Sequence, residues 1–333
     1  MPVDPLPYLL NGSINVLTTF LLGVHYKLED EKFQAVSKMT KDLLRNLMGY
    51  VQAKMTASIT PRWLIRLVWF RRLKMWIFPK YREMCELLYL KFQPYIFSYI
   101  KDHKKGLDEE NFRDYMDFLL DLTRTDSSIG FHTIGFTLVS LYIGGTDTIA
   151  NTMRWLLIQL ALRPSLQERL YNELQTVKSE KGTFNQKDSH LLSSVMLENR
   201  RCFPVADSLP HQVAEDVEIE GYRFKKGEFF LGSLASIMRN PENFENPDEF
   251  LPDRFLENKE FVHDYKVCSF GVGKRNCIGQ QIAKTENFYF AAEIILNFKI
   301  EFEEGAQLPK IDKNMSSVLA PEPFKLKFVH RDN

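Results

Sequence analysis

The chain has no net charge: 43 lysines and arginines balance 43 aspartates and glutamates over 333 residues. That balance argues against a nucleic-acid binder held by phosphate contacts. Cysteine is also scarce. Cys85, Cys202, Cys268 and Cys277 are too few for a disulfide framework in a chain of this length. A reduced compartment is expected, with any functional cysteine a ligand or nucleophile rather than a staple. Long apolar runs are missing too. Residues 5–24 and 127–146 are uncharged for about one membrane thickness. The first run contains Pro5, Pro7, Asn11, Gly12 and Asn15 and has no basic residue before it, so it fits neither a spanning helix nor a signal peptide. The second, interrupted by four glycines, His132 and several hydroxyls, reads as a buried core helix. No membrane anchor is expected from either.

Apolar residues make up 44% of the chain and charged residues 26%. These are globular proportions, which exclude a disordered, collagen-like or polytopic membrane chain. Length alone suggests about two domains, whereas the lack of repeats and of a low-complexity linker favours one compact unit. Helical spacing of apolar residues predicts helices over 31–53, 80–104, 108–124, 129–162, 165–178 and 190–202. Period-two alternation from Val217 to Phe224, a turn at Lys226-Gly227 and a continuation over 228–231 read as a short hairpin. Residues 240–258 read as an irregular loop. A last helix starts near Cys277 and runs to Asn297, and 298–302 and 324–328 alternate as terminal strands. The class is mostly α with a minor β-sheet component.

Residues 270–279 read Phe-Gly-Val-Gly-Lys-Arg-Asn-Cys-Ile-Gly. Glycines let backbone amides approach a ligand or a sulfur. A cysteine at a helix start, with Arg275 two residues away, sits in a positive field that favours thiolate. A soft, hydrogen-bonded thiolate suits a haem iron. An isolated cysteine is more often a small buried hydrophobe. The spacing F-x-x-G-x-R-x-C-x-G changes that weighting. A chance match at Phe270, Gly273, Arg275, Cys277 and Gly279 is on the order of one in ten thousand. The segment resembles the haem-binding loop of the cytochrome P450 family. Cys268 lies outside it.

Further segments strengthen the resemblance, in family order. Gly144-Gly145-Thr146-Asp147-Thr148 interrupts a long helix pattern with two glycines, each costing about 1 kcal/mol relative to Ala. Such a pair makes room either for a small ligand, with Asp147 and Thr148 as a proton relay, or for a packing neighbour, with a hydroxyl bonding back to a carbonyl. It is similar to the family's oxygen-binding groove. Glu198 and Arg201 stand three apart on one helix. Alone they read as a surface salt bridge, but they match the family's E-x-x-R motif, and Phe250 to Phe255 matches its downstream partner, with Asp253 where Glu is more usual. The resemblance implies that Arg254 joins Glu198 and Arg201 in a buried network. Residues 203–211 resemble the segment lining substrate and haem in animal microsomal members. By that match His211 and Arg275 bond the haem propionates, Val205 and Ala206 face the substrate, and Phe270, Gly271, Gly279, Gly144 and Gly145 border the cofactor.

The resemblance covers residues 1–333 as a partial cytochrome P450 domain, from about the fifth helix of the family fold onward, without the earlier helices, first strands or anchor. It implies a haem-thiolate monooxygenase: haem b on Cys277, electrons from NADPH through a flavoprotein reductase, and a lipophilic substrate such as a steroid, terpenoid, fatty acid or xenobiotic. An isomerase or dehydratase on the same thiolate-haem, or a non-enzymatic fragment with impaired haem binding, are the alternatives. Residues 62–78, where Trp63, Trp69 and Trp76 alternate with basic residues, fit either a membrane surface or a packed amphipathic helix. The family match favours the membrane surface, on the cytoplasmic face of the endoplasmic reticulum.

Overall fold

The computed structural model describes residues 1–58, 73, 76–108, 110–126, 128–310 and 318–331, with side chains described except at 47–58 and 80. Most of the aromatic and basic stretch 62–78 lies outside the described residues. Within it, Trp76 and Ile77 are exposed. No helix among the described residues is long and apolar enough to cross a membrane. The contacts divide the chain into two compact units, and the boundary falls after Ala150, inside a helix rather than at a linker.

In the unit formed by Leu6–Ala150, helix α1 (Leu6–Leu22) buries Leu10, Ile14, Leu17 and Leu21, the three- and four-residue spacing of one helical face. Ile14, Leu17 and Leu21 join Phe33 and Leu43 of α2 (Glu31–Ser58) and Phe92, Ile96, Met116, Leu138 and Tyr142 in one core. The helix expected over 80–104 is a rod of three pieces: α3 (Pro79–Glu86), a π turn (Leu87–Phe92) and α4 (Gln93–Lys105). The wide turn lies just before Pro94, which has no amide to continue the ladder. Tyr26 and Tyr99 share a hydroxyl hydrogen bond, and burial pushes the Tyr99 phenol up to about 12. Tyr142 donates to Thr18 at 2.8 Å.

The helix expected from residue 108 instead begins at Tyr115 (α5, Tyr115–Thr125). Asp114 is extended and accepts from the Asp117 amide at 3.1 Å, an N-cap that fixes the start. The same carboxylate faces His103 Nε2 at 2.8 Å, and Arg113 clasps Asp117 at 2.6 and 2.7 Å. Helix α6 (Phe131–Ala161) follows.

The second unit takes in Asn151 onward. Helix α7 (Pro164–Lys181) ends at Gly182, and α8 (His190–Cys202) carries the E-x-x-R residues. Glu173 of α7 accepts from the amides of Leu191 and Leu192 at 2.6 and 3.0 Å, so a neighbouring helix caps α8. Gln167 bonds both the amide and the carbonyl of Ile300, tying α7 to the strand β7 (Phe298–Glu301). The hairpin expected to turn at Lys226-Gly227 turns earlier. Strand β2 (Val217–Ile219) pairs with β3 (Tyr222–Phe224) across Glu220-Gly221, both at positive φ. Strand β4 (Phe229–Ser233) pairs instead with β1 (Ser208–Gln212), with His211 opposite Phe230, and runs into the short helix α9 (Leu234–Met238). The 240–258 region holds a 3-10 turn (Pro252–Phe255) and the first strand of a short hairpin, β5 (Leu256–Glu257), which pairs with β6 (Glu260–Phe261) just beyond it. Helix α10 (Gln280–Asn297) leads into β7 (Phe298–Glu301), which pairs with β8 (Lys327–His330), three residues later than the alternation placed it.

Candidate active site

Cys277 lies three residues before the first helical residue of α10, on a loop rather than in the helix. Gly271 and Gly273 both have φ near +74°, the left-handed region that a side chain would strain. At Gly271 a Cβ would also come within 3.0 Å of Leu209 Cδ1. The Gly271 amide bonds the Cys268 carbonyl at 2.8 Å, and the Cys277 amide bonds the Phe270 carbonyl at 2.8 Å, which closes the loop. Cys277 is exposed, and so are its loop neighbours Val272 (73%) and Ile278 (84%). A Cβ at Gly279 would lie 3.9 Å from the Cys277 sulfur. Glycine keeps that flank clear.

Cys268 is different. It is buried in a core with Leu197, Met238, Phe244 and Phe255, and burial pushes its thiol up. It anchors the stem of the loop.

Glu198, Arg201 and Arg254 meet in one buried network. Arg201 makes a two-pronged pair with Glu198 at 2.7 and 2.9 Å, and Arg254 Nε reaches Glu198 at 3.2 Å. Arg201 also donates to the carbonyls of Met238, Pro247 and Glu249 at 2.7–3.0 Å. The Leu251 amide donates to Glu198 at 2.8 Å. Arg254 binds the Glu245 carbonyl at 2.7 Å. Backbone from 238 to 251 is thus tied to α8 through two guanidinium groups. Leu197, one turn before Arg201, shares a core with Val267 and Cys268, so α8 also supports the approach to the cysteine loop.

His211 stacks on Phe230, centroids 5.2 Å apart. Arg275 is exposed and makes no ion pair among the described residues. Val205 and Ala206 are half-buried, and the Val205 carbonyl accepts from the Leu319 amide at 2.8 Å. Trp155 stacks on Phe203 with centroids 4.6 Å apart and donates to the Leu319 carbonyl. That pair braces the segment and had no signal in the sequence beyond its aromatic residues.

In the other unit, α6 runs through the double glycine without a break. The two glycines do different work. A Cβ at Gly145 would meet Leu17 Cδ1 at 3.0 Å, a packing notch for α1, whereas a Cβ at Gly144 meets nothing within 4 Å. Thr148 donates to the Gly144 carbonyl at 2.7 Å, and Thr146 to that of Tyr142 at 2.6 Å. Asp147 and Thr148 are half-buried neighbours on this stretch.

Three features of the loop fit a haem. Its donor is a sulfur, soft enough for iron. Exposed apolar side chains at Val272 and Ile278 suit the face of a macrocycle. Arg275 and His211 pair with no carboxylate among the described residues. Haem-thiolate proteins are the class such a loop defines. A family model for cytochrome P450 matches residues 1–328, and the chain belongs to that family.

The relatives agree. Human cytochrome P450 2U1 is 26% identical over 342 residues, covering 99% of this chain and 60% of that protein. Cytochrome P450 2J3 of Rattus norvegicus is 26% identical, over 99% of this chain and 65% of the relative. Cytochrome P450 2L1 of Panulirus argus is also 26% identical, over 98% and 68%. The chain therefore spans about 60% of the length of its human relative. Family membership implies a haem cofactor.

Proposed function

We propose that residues 1–333 form part of a single cytochrome P450 domain and carry the haem-thiolate half of a monooxygenase. The observation that carries this reading is an exposed Cys277 on a closed, glycine-shaped loop. Cys277 would ligate the iron of haem b. Arg275 and His211 would hold the propionates, and Phe270, Gly271 and Gly279 would border the ring. Held by a thiolate, the haem supplies activation of O2, one atom going to the substrate and the other to water.

The remaining roles belong to the chain itself. Glu198, Arg201 and Arg254 hold the backbone that supports the loop. Thr148 donates its own proton to the Gly144 carbonyl. With Asp147 beside it, that hydroxyl would pass protons along the helix. The space over Gly144 would admit a diatomic molecule or a water. Val205 and Ala206 would face a lipophilic substrate. Electrons would come from NADPH through a flavoprotein reductase, at the cytoplasmic face of the endoplasmic reticulum.

The test is the difference spectrum of the reduced full chain with and without carbon monoxide. A strongly red-shifted Soret band, absent in Cys277→Ala, is the expected result. A band unchanged by that substitution would place the ligand elsewhere and end the proposal.

A further inference from the structure

Arg200 precedes Arg201 on α8, but consecutive helical residues point about 100° apart. Its guanidinium therefore leaves the Glu198 network and turns toward the back of the cysteine loop. Arg200 is nine-tenths buried, and its Nε has no hydrogen-bond partner. Among the described residues no carboxylate pairs with it. It lies 5.7 Å from the Phe270 ring, and Lys284 of α10 approaches the same ring at 5.7 Å. Lys284 has no acidic partner among the described residues either. These two cations, with His263 at the solvent rim, line a cavity of about 150 Å3, and a neighbouring one of about 120 Å3 shares all three. Ser269 and Gln280 add polar side chains to the first.

Three basic residues from α8, the stretch after β6 and α10 thus converge on open space. Their titration agrees with that geometry. Burial pulls Arg200 down to about 10. Burial and then the Arg200 charge pull Lys284 down. Burial, Lys284 and Arg200 hold His263 below its ordinary value, against a weaker opposite pull from Asp264. The cations repel each other where an anion would bind them together.

We propose that this cavity is a binding site for a phosphate-class oxyanion, either inorganic phosphate or a small phosphomonoester. A guanidinium offers a planar fork to oxyanions and an ammonium a point charge, which together match a tetrahedral group. A phosphomonoester carries about −1.5 to −2 charges at neutral pH, more than a single carboxylate, and so answers more than one cation. The cavity holds roughly five water volumes, enough for one such group with its waters. Burial keeps the floor charge from being screened, and the half-buried Lys284 and exposed His263 leave an entrance.

The test uses the full chain, titrated calorimetrically and by thermal unfolding with phosphate, glycerol 3-phosphate and acetate, against chloride at matched ionic strength. Saturable binding and a rising Tm are expected for phosphate or its ester, with acetate much weaker. The stronger of the first two identifies the free ion or the ester. Arg200→Gln and Lys284→Gln should each weaken binding about tenfold or more. Lys284 is half-exposed, so its variant keeps the test open if Arg200→Gln does not fold. No saturable phosphate binding, or unchanged affinity in Lys284→Gln, overturns the proposal. The readout is anion binding, so it stands apart from whether haem loads.

Discussion

Arg200 and Arg201 are the same residue at adjacent positions of one helix, and both are buried, yet their surroundings are opposite. Arg201 is met by a two-pronged carboxylate and three backbone carbonyls. Arg200 meets an aromatic ring and a cavity. A charge that the chain completes by itself is structural. One left incomplete, at a cost in desolvation, calls for something outside the chain. The comparison separates two roles that burial alone does not distinguish.

The largest effect tests the completed side. Glu198→Ala leaves Arg201 and Arg254 without their shared carboxylate and should cost about 3–5 kcal/mol in urea unfolding. A loss under 1 kcal/mol would mean that the carbonyls alone satisfy Arg201. Next comes the pair Arg201→Met and Arg200→Met. The first should cost several kcal/mol by stranding Glu198. The second, in phosphate-free buffer, should leave stability within about 1 kcal/mol or raise it, because it removes a buried charge that no carboxylate among the described residues pairs. Equal losses would erase the contrast.

Asp114, Asp117, His103 and Arg113 form a third charged cluster, intermediate in kind. Both His103 nitrogens face acceptors: the Tyr99 carbonyl at 2.9 Å and Asp114 at 2.8 Å. Only the imidazolium donates to both. The hydrogen bond that His103 donates to Asp114 raises the His103 pKa, against the opposing effect of burial. The folded state then binds the proton more tightly than the unfolded one. This stabilisation is complete below the ordinary histidine value and lost as pH rises through the raised folded value. The slope should reach up to about 1.4 kcal/mol per pH unit. Urea midpoints of wild type and His103→Gln from pH 5 to 9 check it; parallel curves would show that the cluster does not titrate.

The cysteine loop was legible because its residues are neighbours in the chain: five positions at fixed spacing define it without any tertiary knowledge. Helices 131–161 and 190–202 were legible because long apolar periodicity outlasts errors at the ends. Other features depend on partners far away. Strand β4 satisfies its ladder against β1, so local alternation gave no sign that β2 would turn at Glu220. The start of α5 depends on which acid caps it, and Asp108 and Asp114 look alike until His103 approaches one of them. The Arg200 cavity draws on residues 200, 263 and 284. No spacing rule joins them. What distinguishes Arg200 from Arg201 is an unmade bond, and only coordinates show that.

The smallest effect concerns the two glycines, adjacent residues that also divide their roles. Either replacement by alanine gains up to about 1 kcal/mol of helix propensity. At Gly144 nothing lies within 4 Å of the new methyl, so Gly144→Ala should keep that gain and raise Tm. At Gly145 the methyl meets both Leu17 methyl groups at 3.0 and 3.1 Å, so Leu17 must move and the gain is offset or reversed. The double variant Gly145→Ala with Leu17→Ala should relieve the clash, giving a coupling energy between the two sites. If Gly144→Ala instead destabilised the chain, the space above it would be occupied in solution. Stabilisation without that conflict leaves helix strength as a reason against glycine at 144, and the room it keeps as the reason for it.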